Sequence, residues 1–583
     1  MFLLSPKYFL YLSAGNKDQF LINLTSNPRI DAEYLNQEQF DEICLIQPSL
    51  PICIAEKVLQ KLKGLPSRKL VRSFLSETAQ ILKESGFTIK VKLDKFKIPE
   101  LIQDKSILEI PDISPLFWGR NVLGTELPEL IKSGGYDLPW DPEDWMQGLF
   151  LQNRIQREAA VTVDYLGVPY CRRCGSTEGV IEDNCMFCGN PKCFTCTHCQ
   201  SMGLSKSCIP LYCQPYPDPV EINGEIHPCL DFDLTPPQQR ATEALKQFYM
   251  SEQRQFLVWA VCGGGKTEVS FGIVAKALSA GGRVLFAIPR KDIVIELLPR
   301  FAKAFPEITI NALYGGAGGR YNDCQLTIAT THQCLRFYQG FDLVILDEAD
   351  AFPYQGSSML QYAVQRAVKP RGKLVIMTAT PDRRMIGNAF SGRIPYVSIP
   401  ARYHRRPLIV PEWVKVNLKQ PETGKGWEVP EKVQQILMWA QKNQRKMLVF
   451  LPTIKLIESA GNPLVKWASS QEIRGEITHS KLDNRTQVKE FLLDGKLDFV
   501  VTSTIFERGI TIPALDVLVL FADYETIYDS RTLIQIAGRV GRKKEPAQVI
   551  FMSKTESKAM KDSCHWIGKM NHEGLALGYL DKN

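Results

Sequence analysis

From Phe256 onward the chain alternates between two patterns. Short uninterrupted apolar runs, rich in Val, Ile, Leu and Phe, recur as FLVWAV (256–261), RVLFAI (283–288), LTIAT (326–330), LVILDE (343–348) and KLVIMTAT (373–380). Segments with the helical spacing of apolar positions stand between them. A strand that is apolar on both faces must be covered on both, as in a parallel sheet wound with helices. The alternation resumes at KMLVFLP (446–452), DFVVTST (498–504) and DVLVLFA (516–522), after a linker near Ala401 to Pro407. The pattern predicts an α/β fold of two tandem doubly wound parallel sheets, over 230–400 and 401–583, the second ending in a helical tail.

Upstream the patterning is less regular. Residues 1–165 are expected to form an N-terminal α+β accessory region. The opening MFLLSPKYFLYLS is apolar enough to suggest a secretory signal. Pro6 and Lys7 interrupt it, however, no basic stretch precedes it and no small-residue cleavage site closes it, so it reads as a strand. Leu70 to Leu82 has the spacing of an amphipathic helix, and Gly134 to Trp145 (GGYDLPWDPEDW) reads as turns carrying exposed aromatics. A cysteine-rich module over 166–214 and a proline-rich link, Pro215 to Pro228, lead into the first sheet.

The chain of 583 residues is long enough for three or four domains with buried cores. No apolar run approaches the ~20 residues of a spanning helix, and a cytoplasmic protein is expected. The net charge of +7, from 70 basic and 63 acidic residues, permits phosphate-backbone binding without arguing for it.

Two segments carry nucleotide chemistry. In AVCGGGKTE, Gly263, Gly264 and Gly265 precede Lys266 and Thr267, directly after an apolar strand and before the helical EVSFGIVAKAL. This is a phosphate loop with Ala260 in place of the usual first glycine. Glycines let backbone N–H groups close around phosphates, while Lys266 would reach the β/γ oxygens of ATP and Thr267 would ligate Mg2+. Cys262 within the loop reads as a small filler rather than a redox switch. About 80 residues on, LVILDEAD ends a buried strand in Asp347, expected to hold Mg2+, and Glu348, expected to orient and deprotonate the attacking water.

Nine of the sixteen cysteines fall between Cys171 and Cys213, many in C-x-x-C pairs. Without an export signal this pattern reads as Zn2+ binding rather than disulfides. Cys171, Cys174, Cys185 and Cys188 form two knuckles suited to one tetrahedral site, and Cys193, Cys196, Cys199 and Cys208 to a second, with Cys213 spare. An interleaved arrangement joining Cys171 and Cys174 to Cys196 and Cys199 fits the sequence too. The module is either structural or a grip on a strand or partner.

Asp347-Glu348-Ala349-Asp350 resembles the signature of superfamily 2 helicases, and further motifs follow in that superfamily's order. The resemblance implies two RecA-like lobes. It makes Gln238 in LTPPQ the adenine-reading glutamine and Thr378 and Thr380 the residues coupling hydrolysis to lobe movement. TSTIFERG (502–509) and QIAGRVGR (535–542) resemble the fifth and sixth motifs, so that Arg542 is the arginine finger, Arg539 a second phosphate contact and Gln535 a coupling residue. Glu507 stands where DEAD-box relatives often carry aspartate. By the same resemblance nucleic acid would meet Pro289, Arg290, Thr330, Thr331, His332, Thr502 and Thr504. His332 taken alone reads as structural. Arg402, Arg405 and Arg406 in the linker are either a solvated charge run or further strand contacts.

The cysteine module ahead of such a core, with IPRKDIVIEL, ALYGG, TTHQ, DEADAFPY and IPARYHRRPL, is similar to the ComFA family of late competence proteins over roughly 165–550. That resemblance implies an ATPase stimulated by single-stranded DNA. It would work in the cytoplasm or at the inner face of the cell membrane, with a membrane DNA-uptake channel and other competence proteins as partners. Two other readings stand beside it. One is a replication-restart helicase resembling PriA, in which the cysteines lie within the second lobe rather than before the first. The other is a zinc-bearing, non-catalytic DNA-binding adaptor, against which the intact Lys266, Glu348 and Arg542 argue.

Overall fold

The computed structural model describes residues 7–15, 19–63, 65, 67–86, 90–102, 111–136, 141–219, 224–420, 427–504, 512–541 and 547–581. The apolar runs form two parallel sheets. The first contains β1 (Gln255–Ala260), β2 (Val284–Ile288), β3 (Ile310–Leu313), β4 (Leu326–Thr330), β5 (Phe341–Leu346), β6 (Val368–Thr378) and β7 (Tyr396–Ile399), in the order β3-β4-β2-β5-β6-β1-β7. The second contains β8 (Glu412–Lys415), β9 (Lys446–Phe450), β10 (Gly475–Thr478), β11 (Phe499–Thr502), β12 (Leu515–Leu520) and β13 (Val549–Ser553), in the order β8-β13-β12-β9-β11-β10. Every pairing in both sheets is parallel.

Alternate residues of the first sheet serve different layers. Val258, Phe286, Ile328 and Ile345 face a core closed by the helices Pro236–Met250, Lys266–Ser279 and Lys291–Ala304. Leu285, Ala287, Ala329 and Val344 face the other way, and there the cover is only partly helical. The helix Ser358–Ala367 supplies part of it, Cys171, Cys174, Cys196 and Cys199 another part, and Cys334, Leu335 and Tyr354 much of the remainder. The cysteine module thus stands where a doubly wound sheet would otherwise need a helix.

The boundary expected near residue 165 falls inside a hairpin, because Val161–Val163 pairs with Pro169–Cys171. Pro210–Gln214 is moreover the middle strand of a sheet, between Arg120–Leu123 and Gln156–Ala159. Residues from about 111 to 214 therefore form one unit, and sequence proximity concealed it because the central strand arrives last.

The N-terminal segment forms an antiparallel sheet whose strands run in the order Gln19–Thr25, Lys7–Gly15, Phe40–Gln47 and Lys92–Lys97. Its first strand contains most of the opening apolar run, and Leu70 to Leu82 lies in the helix Ser67–Glu84. The turn-rich reading of 134–145 holds at Gly134 and Gly135 and needs correction from Asp141 onward, with 137–140 outside the described residues. Asp141 caps a helix, Pro142–Leu151, and Trp145 is buried on it. This helix seats the N-terminal sheet: Gln147 donates to Asp31 and to the Leu24 carbonyl, and the Tyr8 and Tyr212 hydroxyls donate to Glu143. Burial raises the Asp31 carboxyl to about 7, against hydrogen bonds from Thr25, Tyr11 and Gln147 and the charge of Arg157, which lower it.

The 111–214 unit meets the first lobe backbone to backbone. Gly119 O accepts from Tyr338 N at 2.9 Å, and a Cβ on Gly119 would fall 2.8 Å from Gly340 Cα. Gly119→Ala is expected to lower the midpoint of thermal unfolding, with a cost of about 1–3 kcal/mol. Gly135→Ala, with a similar positive φ but open space around its Cβ, should cost less. Equal midpoints for the two variants would contradict this tight docking.

Candidate nucleotide site and metal-ligating clusters

β1 delivers the chain into a turn in which Gly264 N donates to Val261 O at 2.9 Å. Gly263 and Gly265 have φ of +78° and +79°, a region costly for any residue with a Cβ. Gly265 caps the helix Lys266–Ser279, so the loop's N–H groups and the helix N-terminus face one cavity of about 680 Å³. Lys266, Thr267, Gln238, Asp347, Glu348 and Arg539 all line it. Gln238 accepts from Thr235 N at 2.9 Å and donates to Gly264 O at 3.0 Å, fastening its helix to the phosphate loop.

Lys266 Nζ stands 3.9 Å from Asp347 Oδ1. Burial opposes the charge of Lys266, but the carboxylates of Asp347 and Glu348 outweigh it and hold the pKa above the ordinary lysine value. Burial likewise raises the Asp347 carboxyl, to about 6, with Lys266 pulling it down and Glu348 pushing it up. Glu348 has φ +52°, a left-handed conformation unusual for a non-glycine residue, two residues beyond the end of β5. A hard oxygen ligand beside a phosphate loop suits Mg2+.

Asp350 joins the two lobes. Its carboxylate accepts from Thr378 Oγ1 at 2.7 Å, from Thr380 Oγ1 at 2.9 Å and from Gln535 Nε2 at 3.0 Å. Gln535 in turn accepts from Cys262 Sγ at 3.1 Å, so the phosphate loop, the strand-end acids, β6 and the helix Ser530–Ala537 are tied together. Arg542, Glu507 and Gly509 lie outside the described residues.

Sequence reasoning missed two residues at the mouth of this cavity. Phe232 and Tyr403 are both exposed, with ring centroids 6.1 Å apart at 78°. Phe232 stands six residues before Gln238 and Tyr403 sits in the linker, so only the folded chain brings them together.

The residues expected to meet nucleic acid lie at carboxyl ends of strands. Pro289 and Arg290 follow β2, Thr330 ends β4 with Thr331 and His332 beyond it, and Thr502 ends β11 with Thr504 close behind. Thr330, Thr331 and Thr502 are buried, whereas Arg290, His332 and Thr504 are partly exposed. Burial lowers the His332 pKa. Of the linker arginines, Arg402 is buried and bonded to backbone carbonyls, and Arg405 pairs with Asp581 at 3.2 Å, so the charge-run reading fails for Arg402.

The eight cysteines expected to ligate metal form two clusters, and the interleaved pairing holds. Cys171 and Cys174 meet Cys196 and Cys199, while Cys185 and Cys188 meet Cys193 and Cys208. The pairing by order along the chain is thereby corrected. It failed because Cys193–Cys196 is a strand, whose alternation sends its two end cysteines to different clusters. Sulfur separations of 3.6, 3.7 and 3.8 Å in the first cluster and 3.9 Å in the second match the edge of a tetrahedron. Metal–sulfur bonds of about 2.3 Å give an edge of about 3.8 Å. Hydrogen bonds from Cys171, Cys174 and Cys199 favour the Cys196 thiolate, and those from Cys188 and Cys208 favour the Cys193 thiolate. Cys213 lies apart, beside Gln156.

Phe232→Ala and Tyr403→Ala are each expected to weaken binding of a fluorescent nucleotide by about 1–3 kcal/mol, the usual worth of a ring stacked on a base. Unchanged titrations for both would remove these rings from the site.

Three stretches of the chain match known protein families. Residues 110–213 match the model of the competence protein ComFA N-terminal domain. Residues 231–383 match the type III restriction enzyme res subunit, and 428–544 the helicase conserved C-terminal domain. A solved structure of RecG bound to a three-way DNA junction aligns over 61% of this chain and 47% of its own, with 19% identity and a TM-score of 0.43. Competence protein ComFA of Bacillus subtilis is 36% identical over 404 residues, covering 69% of this chain and 85% of that protein. The Streptococcus pneumoniae protein is 32% identical over 444 residues, covering 74% and 98%. A helicase-type ATPase core joined to this cysteine module makes the chain a member of the ComFA family of competence proteins.

Proposed function

We propose that this ATPase is stimulated by single-stranded DNA and acts as a translocating motor that helps draw transforming DNA into the cytoplasm. The observation that carries the reading is the single cavity shared by Lys266, Thr267, Asp347, Glu348 and Arg539, with Asp350 and Gln535 bridging the lobes behind it. On this reading ATP lies with its phosphates on the loop 263–267 and its base between Gln238, Phe232 and Tyr403. Lys266 neutralises the β/γ oxygens, and Glu348 takes a proton from the attacking water. Arg539, and Arg542 beyond the described residues, would face the transferring phosphoryl group from the second lobe. Asp347 and Thr267 would hold Mg2+, which when bound neutralises charge on the phosphate oxygens.

Nucleic acid is placed along Pro289, Arg290, Thr330, Thr331, His332, Thr502 and Thr504. The buried threonines there would act through the backbone they anchor, and contacts of this kind position a strand without reading its sequence. Thr378, Thr380 and Gln535 would pass closure between lobes. Each cysteine cluster would hold one Zn2+, stabilising the layer against the first sheet. No helix among the described residues is long and apolar enough to cross a membrane. We place the protein in the cytoplasm, or at the inner face of the membrane beside an uptake channel and other competence proteins.

ATP hydrolysis by the purified chain should rise at least about tenfold with single-stranded DNA and be lost in Lys266→Ala and Glu348→Gln. Equal rates with and without DNA would overturn the motor reading. Elemental analysis should give two zinc ions per chain, and Cys171→Ser and Cys185→Ser should each remove one. Two zinc ions retained in both variants would contradict the assignment.

A further inference from the structure

Arg402 belongs to none of the segments given a role in nucleotide chemistry, yet it is almost wholly buried where the lobes meet. It follows β7, whose last residue accepts from Val261 N at 3.0 Å, so its backbone is part of the first lobe's frame. Its Nε donates to Cys262 O in the phosphate loop at 2.9 Å. Its Nη1 donates to Val540 O at 2.6 Å and Gly541 O at 2.9 Å, and its Nη2 to Gly538 O at 3.0 Å. One guanidinium thus binds a carbonyl of the first lobe and three of the second.

The acceptors account for a buried cation in this place. Gly538, Val540 and Gly541 follow the helix Ser530–Ala537, where carbonyls lack intrahelical donors and the helix dipole favours positive charge. Contact between the two segments is close: a Cβ on Gly538 would lie 2.5 Å from Cys262 Cβ. Arg539, between the clamped carbonyls, lines the nucleotide cavity.

We propose that Arg402 is a positioning residue for hydrolysis: it fixes the loop 538–541 against the phosphate loop and so sets Arg539 of that loop at the transferring phosphate. The inference rests on the motor reading above. It also states a requirement for geometry as well as charge. A lysine ammonium is a compact point charge and cannot span acceptors spread over both lobes as a planar fork does.

The test compares the full-length wild type with Arg402→Lys, Arg402→Ala and Arg405→Ala. Arg405 lies in the same segment but makes its ion pair with Asp581. Steady-state hydrolysis with single-stranded DNA, affinity for a fluorescent nucleotide and thermal midpoint are read for each. Both Arg402 variants should lose about 30- to 100-fold in kcat, as expected for misplaced catalytic groups. Nucleotide affinity, KM and the thermal midpoint of Arg402→Lys should stay close to wild type, and Arg405→Ala should hydrolyse normally. If Arg402→Ala does not fold, Arg402→Lys carries the test. Wild-type kcat in Arg402→Lys overturns the inference, and so does a fall in kcat matched by equal losses of affinity and thermal midpoint. A wild type that hydrolyses no ATP would instead bring down the motor reading beneath it.

Discussion

The carboxylate of Asp350 is the point on which the two lobes depend. The hydroxyls of Thr378, which ends β6, and of Thr380 just beyond it converge on it with one amide from the second lobe, and all three donors act at 3.0 Å or less. Hydrogen bonds to a charged acceptor are stronger than neutral ones, and sharing one acceptor makes the donors interdependent. Gln535 also accepts from Cys262, so a shift of the second lobe is felt at the strand-end acids and at the phosphate loop together. The residues that bridge the lobes therefore reach the phosphate loop as well, and hold the halves of the molecule in register.

The cysteine module is integral to the first lobe rather than appended to it. One cluster is part of the layer that closes the face of the first sheet formed by Leu285, Ala287 and Val344. Arg173, within the first knuckle and fully buried, stands 3.4 Å from Glu126, which also accepts from Arg336 at 3.0 Å. Arg336 ends the short helix Thr331–Arg336, which carries Thr331 and His332. Order in the knuckles is therefore linked through packing and charge to a segment proposed to meet nucleic acid.

Much of this was legible in the chain. Uninterrupted apolar runs identify central parallel strands because burial on both faces removes the alternation that would otherwise disguise them. The phosphate loop and strand-end acids are local patterns, set by a few consecutive residues. Edge strands such as INAL and GEIT are short and carry polar residues, and they do not announce themselves. Cysteine pairing was ambiguous because the alternation of a short strand, not spacing along the chain, decides which thiol faces which cluster. The unit 111–214 was hidden by a central strand that comes last. Arg402 looked like one of several surface arginines, since nothing local distinguishes a cation that finds carbonyls some 140 residues away from one that finds water.

The central claim is that bound nucleotide and single-stranded DNA are coupled through lobe closure at Asp350 and Gln535. Energy transfer between one probe on each lobe tests it most directly, with a non-hydrolysable ATP analogue and single-stranded DNA added separately and together, in wild type and Gln535→Ala. The account predicts one closed, high-transfer population in the wild type when both ligands are bound, and its loss in Gln535→Ala. Transfer that is indifferent to the ligands, or equal closure in the variant, would contradict it.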